Sequence, residues 1–290
     1  MNTSDHSPLP SGLYLVATPI GSARDITLRA LDILATADVL AAEDTRTARR
    51  LMDIHGIALH GRKIWAYHDH SSARDRDRLV AAVASGQSVA YVSEAGTPLI
   101  ADPGYQLVQS MQADGHMVTS APGPSAVVNA MVLSGLPTDR FLFAGFLPPS
   151  KAARRTAMAD LFQVPATVVI YETAKRLPAV LEDLSDTLGP NHQVAMCREM
   201  TKKFETVFRA SISELQAEIT ATPPRGEIVL TIAPKVAREA EAQDMDAMLV
   251  NALLTQRVKD AADSVAGALG LPRRKVYQRA LALIVDKKDG

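Results

Sequence analysis

A single cysteine, Cys197, stands in the 290 residues, which excludes an internal disulfide and fits a reducing cytoplasm. No run of about 18 uninterrupted apolar residues occurs, so no membrane-spanning helix is expected. The opening MNTSDHSPLPSG lacks the basic-then-apolar order of a secretory signal, and residues 1–11 read as a short flexible tail. Two nucleotide fingerprints are also missing. There is no GxGxxG after the first apolar run, and no GxxxxGKS or GxxxxGKT anywhere. Net charge is nearly absent, at -1 from 31 basic and 32 acidic residues.

The charge is unevenly laid out. Basic and acidic residues number 10 and 14 in residues 1–139, 10 and 7 in 140–209, and 8 and 4 in 257–290. Positive charge therefore collects late in the chain, where a polyanion could be met, although solvated helix faces would give the same modest excess. Hydrophobic content of 47% with 22% charged residues is ordinary for a soluble enzyme, and the length suits about two domains.

The first half alternates strand and helix. LYLVAT, VLAAED, KIWAYH, VAYVSE and MVTSAP are short and rich in β-branched or aromatic residues, and between them lie stretches with apolar residues at three- and four-residue spacing. Gly56, Gly86 and Gly115 close three of these helices. Strict alternation predicts right-handed crossovers and a largely parallel sheet, with ligands beyond the carboxyl ends of its strands. A second α/β unit follows the prolines 137, 148 and 149. FLFAGFLP, TVVIYE, QVAMCRE, KFETVFRA and GEIVLTIAP read as its strands, giving a mixed sheet. The expected domains are 12–122, 123–234 and a helical extension, 235–290.

In that extension AADSVAGALGLPRRKVYQRALAL has the spacing of a helix-turn-helix, with a turn at Gly270–Pro272 and Val276, Tyr277, Ala280 and Leu281 facing inward. Arg273, Arg274, Lys275 and Arg279 would decorate its second helix as RNA contacts. A helix pair with an incidentally basic face is the alternative.

Two loops carry the chemical signal. The first strand runs into ATPIGSARDIT and the fourth into SEAGTPLIADPG, and AGTPLIADPG contains no Lys, Arg, His, Cys or Ser. Glycine admits close approach to the backbone and proline stiffens the loop. A polyphosphate would want basic groups, yet the second loop offers Glu94 and Asp102. Such loops suit a cationic or zwitterionic ligand with an apolar part, gripped by main-chain groups, or else are merely tight turns.

The motifs LYLVATPIGSARDITLRALDILATADVLAAEDTRTARRLM, HDH, VSEAGTPLIADPGY, PGPSA, DRFLFAGFLP, YETAKRL, CREMTKKFET and RGEIVL, in this order, resemble the ribosomal RNA small-subunit methyltransferase I family. This is the cytidine 2′-O-methyltransferase branch of the tetrapyrrole methylase superfamily. The match covers roughly residues 12–234, and the helical tail is similar to the family's C-terminal helix-turn-helix. The resemblance implies two α/β domains, S-adenosyl-L-methionine between them, a homodimer, and methylation of a cytidine ribose in the decoding region of 16S rRNA in the small ribosomal subunit. It implies that Pro19, Ser93, Glu94, Ala95, Gly96, Thr97 and Leu99 line the methyl-donor pocket. Pro122, Gly123, Ser125 and Ala126 match the segment joining the domains. Tyr171, Glu172, Gly226, Glu227, Ile228 and Val229 fall where the second domain covers the adenosine. The family usually carries Asp at the position of Glu94, so the acid here is one methylene longer.

Methyl transfer to a hydroxyl needs alignment and a base, and requires no metal. His68 and His70 have the look of zinc ligands, but they share one short loop with Asp69 and no thiolate, so no metal site is expected. Candidates for hydroxyl activation or ribose placement are Asp44, His70, Glu199 and Lys202, with Arg46, Lys175 and Arg176 as phosphate contacts. Asp44 would equally serve as a helix cap for TRTARRLM, and Glu199 could pair across the domains with its neighbour Arg198. Two rival readings are a methylase acting on a small tetrapyrrole and a non-catalytic RNA-binding assembly factor.

Overall fold

The computed structural model describes residues 7–235, 237–269 and 271–286; the start of the expected tail and Gly270 of the expected turn lie outside them. The first sheet is built from strands β1 (Gly12–Val16), β2 (Val39–Ala42), β3 (Ile64–Ala66), β4 (Ser88–Val92) and β5 (Val118–Ala121). All pairings are parallel, in the order β3-β2-β4-β1-β5. Val, Ala and Leu dominate β2 and β4 because both faces are covered, which leaves no polar alternation. On one face Ile33 and Leu34 of α1 (Leu28–Thr36) and Met52 of α2 (Thr45–Ile54) pack with Val16, Leu40 and Val92. On the other, Leu79 of α3 (Ala73–Ala84) and Leu107 and Met111 of α4 (Tyr105–Ala113) pack with Leu13, Val89 and Tyr91.

The helix ends follow from local chemistry. Thr27 caps α1 by accepting from Ala30 N, and Ser72 and Asp75 form a reciprocal capping box at α3. Gly56, Gly86 and Gly115 adopt φ of 67°, 94° and 74°. The following amides of Ile57, Gln87 and His116 reach back to Met52, Ala82 and Met111, so α2, α3 and α4 all end in the same left-handed turn.

Helix α5 (Ala126–Ser134) leads to β6 (Phe141–Phe146), α6 (Lys151–Leu161), β7 (Thr167–Thr173), α7 (Leu177–Leu188), β8 (Gln193–Arg198), β9 (Thr206–Ser211), α8 (Ile212–Ala221) and β10 (Glu227–Ile232). The second sheet has the order β6-β7-β10-β8-β9; β6 and β7 are parallel and the remaining pairs antiparallel. Val127, Ala130 and Met131 of α5 cover Val169, Cys197 and Val229 of this sheet. Sequence reading passed over α8, which starts at a capping box of Ser211 and Glu214. Between α6 and α7, Arg154 Nη2 lies 2.6 Å from the fully buried carboxylate of Asp183.

Contacts divide the chain into two compact units. One holds both sheets, through Leu161 and again from Ala166 to Ala233; the other holds Phe162–Pro165 and the C-terminal helices. In the latter, α9 (Ala237–Ala252), α10 (Val258–Leu269) and α11 (Arg273–Asp286) share a core of Leu249, Val265, Val276 and Ala280. The expectation for Tyr277 and Leu281 is corrected. Both are exposed, because residues 276 and 280 form the buried stripe at four-residue spacing and their successors turn about 100° away. Among the described residues no helix is long and apolar enough to cross a membrane.

Candidate active site

All five parallel strands deliver their loops to one edge of the first sheet. The loops after β1 and β4 are tied together there: Thr18 N donates to Gly96 O at 2.8 Å and Gly96 N to Thr18 O at 3.0 Å. Thr97 Oγ1 donates to Pro124 O at 2.8 Å, fastening the same loop to the segment before α5. Below it, the buried Tyr91 hydroxyl donates toward Pro103 O and Tyr67 O, at 3.1 and 3.3 Å. Held in this way, Leu99 and Ala101 adopt φ of 72° and 62°, left-handed conformations that cost non-glycine residues energy and persist only under such restraint.

The glycine of the first loop has a different reason from the one expected. A Cβ on Gly21 would lie 2.5 Å from Thr201 Oγ1 and 2.9 Å from Met200 O, so it admits the chain after β8 of the second sheet, not a ligand. Ser22 N donates to Thr201 Oγ1 at 3.0 Å across the same contact.

Between the two sheets lies a cavity of about 420 Å³, within the size range of small-molecule sites. Its first-sheet wall includes Ile20, Glu43, Glu94, Ala95, Ala101 and Asp102, and its second-sheet wall Ala126, Phe146, Tyr171, Glu172, Glu199 and Gly226–Val229. The wall is therefore acidic, and its chemistry can be read group by group. Glu43 Oε2 accepts from Glu94 N at 3.0 Å. Glu172 has its side chain fully buried; Oε1 accepts from Thr173 N at 2.7 Å and faces Arg176 Nε at 3.3 Å, while Oε2 has no hydrogen-bond partner. Glu199, itself at φ 50°, exchanges backbone and side-chain bonds with Glu227, which hold its carboxyl below the usual range. Lys202 Nζ sits 3.1 Å from Glu199 and 2.8 Å from Glu227. Burial works to lower its pKa, but the two carboxylates outweigh this and raise it.

Asp102 behaves differently from these. Burial first, then the charge of Glu43, pushes its carboxyl up to about 6, against the lowering effect of a hydrogen bond with Ser93. Burial pushes the Tyr171 phenol up to about 12, so it stays neutral, with its ring packed edge-on to Phe143 and Phe146.

Most residues assigned to the methyl donor by resemblance sit at or beside this cavity. Ser93, Gly96, Thr97 and Leu99 shape the loop without lining it, and Pro19, Pro122 and Ser125 lie outside its wall. Asp44 is the N-cap of α2, accepting from Arg46 N at 2.7 Å and Thr47 N at 3.2 Å. The Arg46 guanidinium also bonds it, and its carboxyl is held down at about 2. The exposed His70 donates its backbone N–H to His68 Nδ1, away from the wall. Arg46 and Lys175 are exposed, whereas Arg176 donates to Leu147 O at 2.6 Å, so its charge is used inside the fold. In the helical unit Arg273 pairs with Asp263 and Arg279 with Asp246, leaving Arg274 and Lys275 exposed without an ion pair among the described residues. The site residues expected from the sequence lacked Ile20, Glu43, Ala101, Asp102, Phe146, Thr173 and Met200, although Asp102 was read as an acid of the fourth-strand loop. Of these Glu43 and Asp102 carried a signal, the one as an acid at the end of the second strand and the other as an acid in a loop otherwise free of ionisable groups after Glu94.

The model of the family described as Tetrapyrrole (Corrin/Porphyrin) Methylases matches residues 12–216, and that of the RsmI C-terminal HTH domain matches residues 239–284. A protein of Mesorhizobium japonicum named Ribosomal RNA small subunit methyltransferase I is 43% identical over 284 residues, 98% of this chain and 96% of its own. The chain belongs to the ribosomal RNA small subunit methyltransferase I family. Another relative of that name, from Erythrobacter litoralis, is 46% identical over 281 residues, covering 96% of this chain and 98% of its own. Among solved structures, uroporphyrin-III C-methyltransferase from Thermus thermophilus, complexed with S-adenyl homocysteine, aligns with a TM-score of 0.53 at 20% identity. It covers 78% of this chain and 98% of its own, and supports the family fold alone. The family's helix-turn-helix is the α9–α11 unit, whose described core is small and apolar.

Proposed function

We propose that the protein transfers a methyl group from S-adenosyl-L-methionine to the ribose 2′-hydroxyl of a cytidine in the decoding region of 16S rRNA, acting in the cytoplasm as a homodimer. The observation that carries this reading is the acidic, partly aromatic cavity between the sheets, in a chain whose relatives bear the name of a small-subunit rRNA methyltransferase. The residues present fit the methyl donor. Glu43, Glu94 and Asp102 favour a cation, the unpartnered Glu172 Oε2 offers a buried acceptor to a hydroxyl or amine, and Tyr171 and Phe146 supply apolar wall.

When bound, S-adenosyl-L-methionine supplies an electrophilic methyl group on a sulfonium. The chain's own residues would hold the donor against the loop tied down by Thr18 and Pro124, with Lys202 kept charged beside Glu199 and Glu227. Of the expected phosphate contacts, Lys175, Arg274 and Lys275 are exposed without an ion pair among the described residues, and the exposed Arg46 would reach a phosphate from its pair with Asp44. The test is methyl transfer from labelled S-adenosyl-L-methionine to 30S subunits lacking the modification, followed by nuclease digestion and mass mapping. A 2′-O-methylated cytidine in the decoding region is expected. Binding of the methyl donor without incorporation would refute the acceptor and turn the search to small tetrapyrroles.

A further inference from the structure

We propose that the outer face of α2, which carries Arg46, Arg49 and Arg50, is the docking surface for the sugar-phosphate backbone of the acceptor RNA; this deepens the function proposed above and rests on it.

The face follows from the sequence of the helix. In TRTARRLMDI, residues 46, 49, 50, 53 and 54 recur at three- and four-residue spacing and share one side, while Ala48 and Met52 on the other side are buried against the first sheet. Thr45, Arg46, Arg49, Arg50, Asp53 and Ile54 line a shallow, open depression. Three guanidinium groups thus stand on successive turns, with residues 46 and 50 about 6 Å apart along the helix axis, against one carboxylate in the lining. A row of planar, permanently charged donors suits a chain of phosphates, since an arginine can hold each phosphate through two hydrogen bonds.

The three side chains can be recruited. Arg46 is 90% exposed in its pair with Asp44. Arg49 lies 2.9 Å from Asp53, with both side chains more than half exposed. Exposed pairs of this kind contribute little, so a phosphate can take over either arginine. The Arg50 side chain makes no ion pair or hydrogen bond among the described residues. Other cations around the two sheets are engaged elsewhere. Arg62 donates to the carbonyls of Leu34 and Ala37, Arg154 is buried with Asp183, and Arg209 donates to Leu133 O.

Position joins this face to the site. Asp44, the N-cap of α2, directly follows Glu43 of the cavity wall, and the charge of Glu94 on the same wall acts on Arg46. A strand lying along α2 therefore meets the cavity at the first turn of the helix. The two charges also sort the two substrates. The acidic wall attracts a sulfonium and repels phosphates, and the basic face does the reverse.

The test uses the full-length protein and under-methylated 30S subunits. Filter binding at several salt concentrations compares wild type with the double variants Arg49→Gln, Arg50→Gln and Arg49→Lys, Arg50→Lys. Calorimetry reads affinity for S-adenosyl-L-methionine, and thermal melting reads folding. The glutamine variant is expected to bind the subunits about 10- to 100-fold more weakly at about 0.1 M salt and to flatten the salt dependence by about one to two units of slope. The lysine variant should keep the wild-type slope, because both charges remain. Affinity for the methyl donor should stay within about twofold in both. Unchanged affinity and slope in the glutamine variant overturn the proposal and leave an ordinary solvated helix face. Weaker binding with an unchanged slope overturns it too, because charge is then not what the face supplies. Loss of subunit binding with wild-type affinity for protein-free 16S rRNA overturns it in favour of a ribosomal protein as the partner. Should the double variant melt well below wild type, the single Arg50→Gln decides: a slope flatter by about 0.7–0.9 is expected, and an unchanged slope overturns the proposal. A wild type that binds the methyl donor yet leaves the subunits unlabelled refutes the acceptor reading. Labelled subunits together with a glutamine variant of unchanged affinity and slope refute the docking face alone.

Discussion

Gly21→Ala probes the contact by which the two sheets close on the cavity. Gly21 has an ordinary backbone conformation, so the substitution tests space alone. Its new methyl would meet Thr201 Oγ1 at 2.5 Å, Lys202 Cγ at 2.6 Å and Met200 O at 2.9 Å. The Met200 carbonyl is backbone, and Thr201 is held by Ser22 N, so neither yields without moving the segment that carries Glu199. Overpacking of this kind costs about 1–3 kcal/mol. Losing the Ser22–Thr201 hydrogen bond adds about 1 kcal/mol, for a total of about 2–4 kcal/mol. In a unit of this size that lowers Tm by roughly 4–16 °C. Glu199 and Met200 are on the cavity wall, so affinity for S-adenosyl-L-methionine should fall about tenfold, equivalent to 1.4 kcal/mol. Thermal melting and calorimetry read both effects. Gly56→Ala is the control, because its Cβ would meet nothing within 4 Å and its φ of 67° exacts only backbone strain. Unchanged Tm and affinity in Gly21→Ala would refute the claim that this glycine serves the approach of the two sheets.

Other outcomes are equally specific. Asp183→Ala leaves Arg154 buried and unpaired, which should cost about 3–5 kcal/mol in urea unfolding, and replacing both by apolar residues should recover most of it. Asp44→Ala should lower the melting temperature as a lost helix cap while the saturated transfer rate stays within about threefold of wild type. Because the folded pKa of Asp44 is depressed to about 2, its stabilising effect is present above the ordinary carboxyl range and is lost as pH falls toward that value. Replacing Arg274 and Lys275 together with Ala should weaken binding to 30S subunits and flatten its dependence on salt by about one to two units of slope, measured by filter binding.

The first sheet was legible because each of its signals is local. Doubly buried strands read as short Val- and Ala-rich runs, and a helix end that needs a left-handed residue shows a glycine, as at Gly56, Gly86 and Gly115. Helix α8 escaped because it follows β9 without a break: Ser211 is both the last residue of the strand and the cap of the helix. Tyr277 and Leu281 escaped for a related reason. Apolarity marks a helical face only to within its width, and residues 276 and 280 already fill the seam.

The site was legible as motifs and not as electrostatics. The fourth-strand loop announced itself through Gly96, Pro98 and Pro103, but the sequence does not show that the loop must bend through Leu99 and Ala101, since neither is a residue that favours a left-handed conformation. Nor does it show which acids are already engaged. Asp44, Glu199 and Asp102 are alike as letters at strand ends, and they part company only when the fold gives the first two their hydrogen-bond donors and gives the third a set of acidic neighbours. Those neighbours come from the loops after β2, β3 and β4, so the property that sets Asp102 apart belongs to the parallel sheet as a whole. A cation bound against that acidic wall would in turn lower the pKa of Asp102, so the methyl donor and the ionised carboxylate favour each other.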